Sequence, residues 1–217
     1  LQDAVPIRLG QEFRAFSQPV LRDIKRISAA VEELTYVNMG ATAVGTGINA
    51  DVEYVKNVVR ILSEVTGFEF KQSPDLVDGT RNLDSFVWLS SALKTCAVNL
   101  SKTANDIRLM ASGPKAGLAE ILLPQQQPGS SIMPGKVNPV IPEVLNQVCF
   151  QIFGNDITIT KAAEAGQLEL NVFEPVLFFN LFQSIEILKN GIITFIENCL
   201  KGITAQEENC KYWVDRS

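Results

Sequence analysis

The sequence predicts an all-α protein, an elongated bundle of long helices. Apolar residues recur at steps of three and four over stretches of about thirty residues, which is the spacing of one helix face. Glycine and proline cluster in short breaks between those stretches, and 46% of the residues are apolar, enough for a substantial core. Helices of this length exceed the average of ~11–12 residues in globular proteins. They expose more apolar surface than three or four helices can cover, so we expect the chain to associate with itself.

The first half of the chain contains two predicted helices. Residues 6–36 keep their apolar positions on one helix face, and Pro19 inside that pattern is expected to bend the helix. The segment MGATAVGTGIN, residues 39–49, then breaks the helix with three glycines. A short amphipathic helix is predicted over residues 52–65, and Gly67 after it takes the usual position of glycine beyond a helix end.

The second half contains longer predicted helices around one long loop. A helix is predicted from near Leu76 to about Ala111, with an apolar stripe at near-heptad spacing: Phe86, Leu89, Leu93, Cys96, Leu100 and Ile107. A structureless loop of about thirty residues follows over 113–140, and loops of that length are usually functional. Pro142 is expected in the first turn of a helix that runs to about residue 165. Further helices are predicted over residues 173–202 and within 205–217.

Composition and charge exclude several classes of protein. The net charge of −5 argues against a nucleic-acid partner, which would normally meet a clustered basic face. The most apolar run, residues 176–182, is interrupted by Asn180, so we expect no membrane span. The first residues lack a basic segment followed by an apolar one, so they do not resemble a signal peptide.

The use of cysteine and histidine bounds the compartment and the chemistry. The four cysteines lack C-x-x-C spacing, which is typical of reduced, structural thiols in a cytoplasmic protein. The chain contains no histidine, so it lacks both the commonest general base and the commonest zinc ligand. Chemistry here must use Ser, Lys, Asp, Glu, Asn, Tyr or Cys side chains, or a histidine supplied from elsewhere.

One stretch of the long loop, GSSIMPGKVNP at residues 129–139, carries more polar groups than a connection needs. A serine hydroxyl acts as a base only in a local field that favours the alkoxide. Lys136, the backbone N–H groups of a Gly/Pro turn and the start of the next helix would supply positive potential. Lys136 would also attract a carboxylate, and Asn138 would add a directional donor. These residue types suit a dicarboxylate site in which a serine takes a proton, although an ordinary polar turn has the same composition.

This loop resembles the signature of the aspartase/fumarase superfamily, G-S-S-x-M-P-x-K-x-N. Four further segments resemble blocks of that family in the family's order: LQDAVPIRLGQEF, GATAVGTGIN, KTANDIRLMASGP and AAEAGQLELNVFEP. Gly135 and Val137 at the variable motif positions resemble the fumarase and aspartase branch, and residues 143–156 and 164–176 are most similar to aspartate ammonia-lyases. The resemblance implies anti elimination of ammonia from L-aspartate to give fumarate, with a serine base on a mobile loop. Fumarate hydratase is the alternative within the family, and an inactive assembly module is the alternative outside enzymes.

The resemblance also assigns roles to individual loop residues. Ser130 matches the catalytic base that removes a proton from the carbon next to a carboxylate. Ser131 and the neighbouring backbone would stabilise the resulting aci-carboxylate. Lys136 and Asn138 match the pair that binds a substrate carboxylate, and Met133 belongs to the same substrate-binding stretch.

Two further positions match family blocks outside the loop. Glu143 matches a glutamate that supports catalysis by orienting a histidine in many family members. Because this chain has no histidine, we expect Glu143 to have no partner within it. Residues 45–47, Gly-Thr-Gly, are expected to pack close backbones rather than to bind phosphate, since no lysine follows them and no strand precedes them.

The resemblance finally implies a domain organisation and partners. Family members are considerably longer, so residues 1–217 are expected to form a central helical-bundle domain, with the N-terminal and C-terminal domains of the whole enzyme absent. A homotetramer is expected, with these helices as its core, a small dicarboxylate as substrate and no organic cofactor; activation by a divalent cation is left open. The stripe at 83–107 and the apolar faces of 173–196 are expected to meet other copies. The chain alone is expected to be inactive, with a mobile loop over 125–137.

Overall fold

The computed structural model describes residue 2 and residues 4–216, and this part of the chain is predominantly helical. The α-helices are α1 Leu9–Glu33, α2 Val52–Thr66, α3 Leu76–Arg81, α4 Asp84–Met110, α5 Val140–Glu164, α6 Glu174–Asn198 and α7 Glu207–Val214. Two-residue strands pair as β1 Tyr36–Val37 with β2 Lys71–Gln72, in parallel, and as β3 Ile121–Leu122 with β4 Thr204–Ala205, antiparallel. A single 3-10 turn, Leu200–Gly202, follows α6 within these residues. The all-α prediction is confirmed.

The chain forms two compact units, each assembled from separate segments. Unit 1 contains the residues up to 22, residues 95–152 and the residues from 185 onward. Unit 2 contains residues 23–94 and 153–184. Helices α1, α4, α5 and α6 each contribute residues to both units. The polar loop singled out in the sequence belongs entirely to unit 1.

Helix α2, in unit 2, shows how local sequence sets both helix ends. Asp51 precedes the helix, and its Oδ1 accepts hydrogen bonds from the N–H groups of Glu53 (2.8 Å) and Tyr54 (3.1 Å). These bonds satisfy two of the donors that a helix start leaves free. At the other end Gly67 adopts the left-handed conformation, with φ of 74°, and its N–H donates to the Ser63 carbonyl. The predicted glycine end is therefore confirmed.

Gly45, in the glycine-rich segment 39–49, packs backbone against backbone, as predicted for residues 45–47. Gly45 has a φ of +89°, and a Cβ added there would lie 2.3 Å from Cα of Val77, at the start of α3. Any side chain would collide with the α3 backbone, so the role of Gly45 is close packing within unit 2.

The single long helix predicted over 76–111 is wrong, because Asn82 and Leu83 divide it into α3 and α4. Asn82 is extended (φ −103°, ψ 138°), and its side-chain Nδ2 donates to Oδ1 of Asp78 at 2.6 Å. The carbonyl of Leu83 then accepts from the N–H groups of Phe86 and Val87 and starts α4. A break of two residues leaves the apolar spacing almost unchanged, so periodicity could not reveal it.

The stripe predicted for α4 exists but is covered by the chain itself. Five of its six members are buried, namely Leu89, Leu93, Cys96, Leu100 and Ile107, and the sixth, Phe86, is half-buried. The expectation that this stripe meets other copies is therefore wrong, because residues of the same chain already cover it.

A buried polar cluster in unit 2 connects α4 to α5. Ser90 Oγ donates to Asp156 Oδ1 at 2.8 Å, and Lys94 Nζ donates to Asp156 Oδ2 at 2.5 Å. Asp156 is only 4% exposed, and its charge is compensated by this ion pair.

The first part of the long loop has structure that the sequence analysis did not predict. Strand β3 pairs with β4, which follows α6, and side chains add hydrogen bonds between the loop and the chain from the end of α6 onward. Trp213 Nε1 donates to the Leu118 carbonyl (2.8 Å) and Asn209 Nδ2 to the Ala119 carbonyl (2.9 Å). Gln126 Nε2 donates to the Asn198 carbonyl (2.8 Å). These contacts join segments far apart in the sequence, which local patterns cannot predict.

Helix α6 leaves an apolar face uncovered. We call the exposed residues of this helix the α6 apolar face: Val176, Phe179, Phe182, Ile185, Ile193 and Ile196. By length and mean hydropathy (1.3), the stretch Glu174–Gly202 would suffice to cross a membrane, although core helices of soluble proteins meet the same criterion. Only 28% of its most apolar window is buried in this chain, so the face is available to a partner.

Candidate active site

The polar loop closes on itself in unit 1, between β3 and α5. The Ser130 N–H donates to the Lys136 carbonyl at 3.1 Å, and the Lys136 N–H donates to the Met133 carbonyl at 3.1 Å. A Cβ on Gly129 would lie 2.8 Å from the Lys136 carbonyl oxygen, so this crossing requires a glycine. Gly135 has a φ of +82°, in the left-handed region that also favours glycine. Backbone geometry thus explains why both of these motif positions are glycine.

Ser130 is distinguished within the loop by its hydrogen bonds. Its Oγ accepts from the backbone N–H groups of Ile132 and Met133, both at 3.2 Å. This is a local serine turn, and it is also an arrangement of two donors aimed at the oxygen that would carry negative charge after deprotonation. Ser130 is half-buried, whereas Ser131 beside it is exposed. The geometry therefore favours Ser130 over Ser131 as the serine that holds an alkoxide.

The remaining predicted loop residues lie in or beside the same closed turn. Met133 and Lys136 are part of it, and their side chains are exposed. Asn138 lies at the loop exit, where its carbonyl accepts from the Val140 N–H at 2.9 Å as α5 begins. Five of the six predicted site residues are thus held on one short segment that leads into a helix N-terminus, whose dipole favours an anion.

Glu143, the sixth, lies in the first turn of α5, and the expectation that it has no partner within the chain is wrong. Its Oε1 lies 3.7 Å from Nη2 of Arg108, in the last turn of α4. Arg108 Nη1 also donates to Oδ1 of Asn146 at 3.3 Å. The sequence analysis missed Arg108, since nothing local relates it to a glutamate on another helix.

Cysteine is an unsuitable nucleophile at three of the four cysteine positions. Burial raises the pKa of the Cys149 and Cys199 thiols to about 11, and burial followed by repulsion from Glu120 raises the pKa of Cys210. These thiols stay protonated near neutral pH, and the thiolate is the reactive form. None of the four cysteines forms a disulfide, as predicted.

The described residues offer no candidate metal centre. Within residue 2 and residues 4–216, no group of three or more His, Cys, Asp or Glu side chains lies close enough to hold an ion.

Known proteins resemble this chain along its whole length. The model of a protein family described as Lyase matches residues 1–154. An aspartate ammonia-lyase of a Bacillus species is 62% identical over 217 residues, which is 100% of this chain and 46% of the relative. Several other relatives similar over the whole chain are also aspartate ammonia-lyases. The chain spans about half the length of the curated relatives it matches.

Solved structures agree with this similarity. A fumarate lyase:delta crystallin from Brucella melitensis, solved bound to cobalt, has a TM-score of 0.97 and 49% identity; the match covers 100% of this chain and 47% of that one. A class II fumarase from Schistosoma mansoni has a TM-score of 0.92 and 35% identity, covering 100% and 48%. With the loop motif in place and the family model matched over residues 1–154, the chain belongs to the lyase family, the aspartase/fumarase superfamily.

Proposed function

We propose that the protein containing this chain is an aspartate ammonia-lyase that converts L-aspartate to fumarate and ammonia by anti elimination. The observation that carries the proposal is the closed GSSIMPGKVNP turn, in which Ser130 Oγ accepts two backbone N–H groups. The 62% identity with a Bacillus aspartate ammonia-lyase supports the choice of substrate.

The proposed reaction assigns one task to each group of the loop. Ser130, as the alkoxide, takes a proton from the carbon next to one substrate carboxylate, and the electron pair passes into that carboxylate to give an aci-carboxylate. Ser131 and the loop backbone stabilise this intermediate. Lys136 and Asn138 bind a carboxylate, and Met133 contacts the substrate. The carbon–nitrogen bond then breaks, the carbon–carbon double bond forms, and the nitrogen leaves as ammonia.

An absorbance assay for fumarate tests this function in the whole protein. L-Aspartate should give fumarate and an equal amount of ammonia, with no organic cofactor added. Fumarate from L-malate but not from L-aspartate would instead establish the hydratase alternative, which the likeness to a class II fumarase favours. Turnover of neither substrate would leave the helical domain as an assembly module.

Replacing Lys136 by alanine should weaken substrate binding, because a carboxylate would lose its charged partner. We expect KM to rise about 10- to 150-fold, the scale of a charged hydrogen bond of ~1.5–3 kcal/mol. Lys136→Arg should restore binding only in part, since a larger, planar guanidinium replaces a compact ammonium group. Lys56→Ala, which removes an exposed lysine paired with Glu53, is the matched control. Unchanged kcat and KM in Lys136→Ala would show that this lysine does not bind substrate.

We propose that the protein is a homotetramer with the α6 apolar face inside its core. Phe179 and Phe182 are 65% and 64% exposed in the single chain, and covering such side chains stabilises an interface. Phe179→Glu should place a charge in that interface and lower the mass measured by light scattering. Gln18→Glu adds the same charge at an exposed polar position of α1 and should leave the mass at four protomers. A wild-type mass of one protomer would contradict the assembly.

We also propose a cytoplasmic location. The absence of disulfides among the four cysteines supports it, because three of them are buried thiols that a reducing compartment keeps intact.

A further inference from the structure

A polar cluster joins the end of α4 to the start of α5 in unit 1. Asn146 is 3% exposed, and its Nδ2 donates to the Ser101 carbonyl (3.1 Å) and to Ser101 Oγ (2.8 Å). Its Oδ1 accepts from Arg108, which also faces Glu143 and lies 3.4 Å from Asn105 Oδ1. Arg108 therefore donates a hydrogen bond to the oxygen of a buried amide and places a positive charge near Glu143 at the same time.

The geometry of Arg108 is not that of an ordinary surface ion pair. Its Nε is buried and has no hydrogen-bond partner, although 40% of the side chain is exposed. Leaving a buried donor unpaired is unfavourable. The guanidinium is thus held through its two terminal nitrogens, Nη1 on Asn146 and Nη2 near Glu143, while its Nε donor stays unpaired.

These contacts act on the segment where the polar loop ends. The Glu143 N–H donates to the Pro139 carbonyl (3.3 Å), and the Val140 N–H donates to the Asn138 carbonyl (2.9 Å). The position of the first turn of α5 therefore sets the position of Asn138. It also sets the position of Lys136, which lies two residues before Asn138.

We propose that Arg108 is a positioning residue for this site: by joining Glu143 and Asn146 to α4, it fixes the loop exit that carries Lys136 and Asn138. Its kinetic consequence rests on the proposed function, whereas its effect on the loop exit does not. Arg108 acts through its neighbours and has no contact with the reacting atoms.

Hydrogen exchange tests the structural half without any substrate. In Arg108→Met, amides in peptides covering residues 129–143 should exchange about 2- to 12-fold faster, the scale of one net hydrogen bond. Arg108→Gln, which keeps a donor but loses the charge, serves if the methionine variant folds poorly and should show the same direction. Arg60→Met, at an exposed arginine paired with Glu64 on α2, should leave those peptides unchanged. Unchanged exchange in both Arg108 variants would overturn the proposal.

Kinetic coupling tests the functional half. Arg108→Met should raise KM about 2- to 12-fold in the wild-type background. It should raise KM by a smaller factor when Lys136 is already alanine, because one of the two binding groups that Arg108 positions is then gone. A merely structural arginine would lower the melting temperature without changing KM, and full additivity with Lys136→Ala would likewise overturn the role. Absence of wild-type turnover would contradict the proposed function and leave the hydrogen-exchange result to decide on Arg108.

Discussion

Replacing Ser130 by alanine is expected to lower kcat by ~10²–10⁴-fold, the usual contribution of general acid–base catalysis. The hydroxyl oxygen is where the Ile132 and Met133 N–H groups converge, so its loss removes both the base and the acceptor that those donors stabilise. Turnover of L-aspartate by the whole protein is the measurement, with circular dichroism and light scattering to establish that helicity and assembly are intact.

A second variant separates the base from the turn. Asparagine at 130 can accept the same backbone N–H groups in an Asx turn, yet it has no hydroxyl to deprotonate. Ser130→Asn should therefore be as inactive as Ser130→Ala. Recovery of activity by asparagine would mean that the side chain only shapes the loop. Activity above a tenth of wild type in the alanine variant would remove Ser130 from the role of base.

Replacing Ile159 by alanine should have the largest effect on stability. Ile159 lies on α5 and is 0% exposed, so truncation loses buried apolar contacts and leaves a cavity. We expect the free energy of unfolding to fall by ~2–5 kcal/mol for Ile159→Ala and by ~0.5–1.5 kcal/mol for Ile159→Val.

Urea denaturation at one fixed protein concentration measures this difference, because association makes stability depend on concentration. The KM of the folded enzyme should be unchanged, since Ile159 lies outside the polar loop. A loss below ~0.5 kcal/mol for the alanine variant, the range of surface substitutions, would contradict the burial of this side chain.

Features that depend on neighbours in the sequence were predictable. Apolar spacing alone identified the long helices. Gly67 marked the end of α2 because glycine has no Cβ and adopts the left-handed conformation there without a steric penalty. The loop motif also belongs to this group. Its glycines, its two serines and Lys136 are consecutive residues whose turn is closed by bonds between Ser130, Met133 and Lys136. The residue types of this local segment suited a dicarboxylate site, and the resemblance to the family assigned the individual roles.

Features that join distant segments were decided only by tertiary structure. The division of α3 from α4 at Asn82 left the apolar period almost unchanged, and the pairing of β3 with β4 joins the loop to a segment beyond α6. The partner of Glu143 is a third example, since Arg108 reaches it across two helices. In the last two cases the contact joins residues far apart in the chain, and a sequence pattern reports only what nearby residues do to one another. The chain's residues thus determined the helices and the polar loop, whereas packing determined where that loop is anchored.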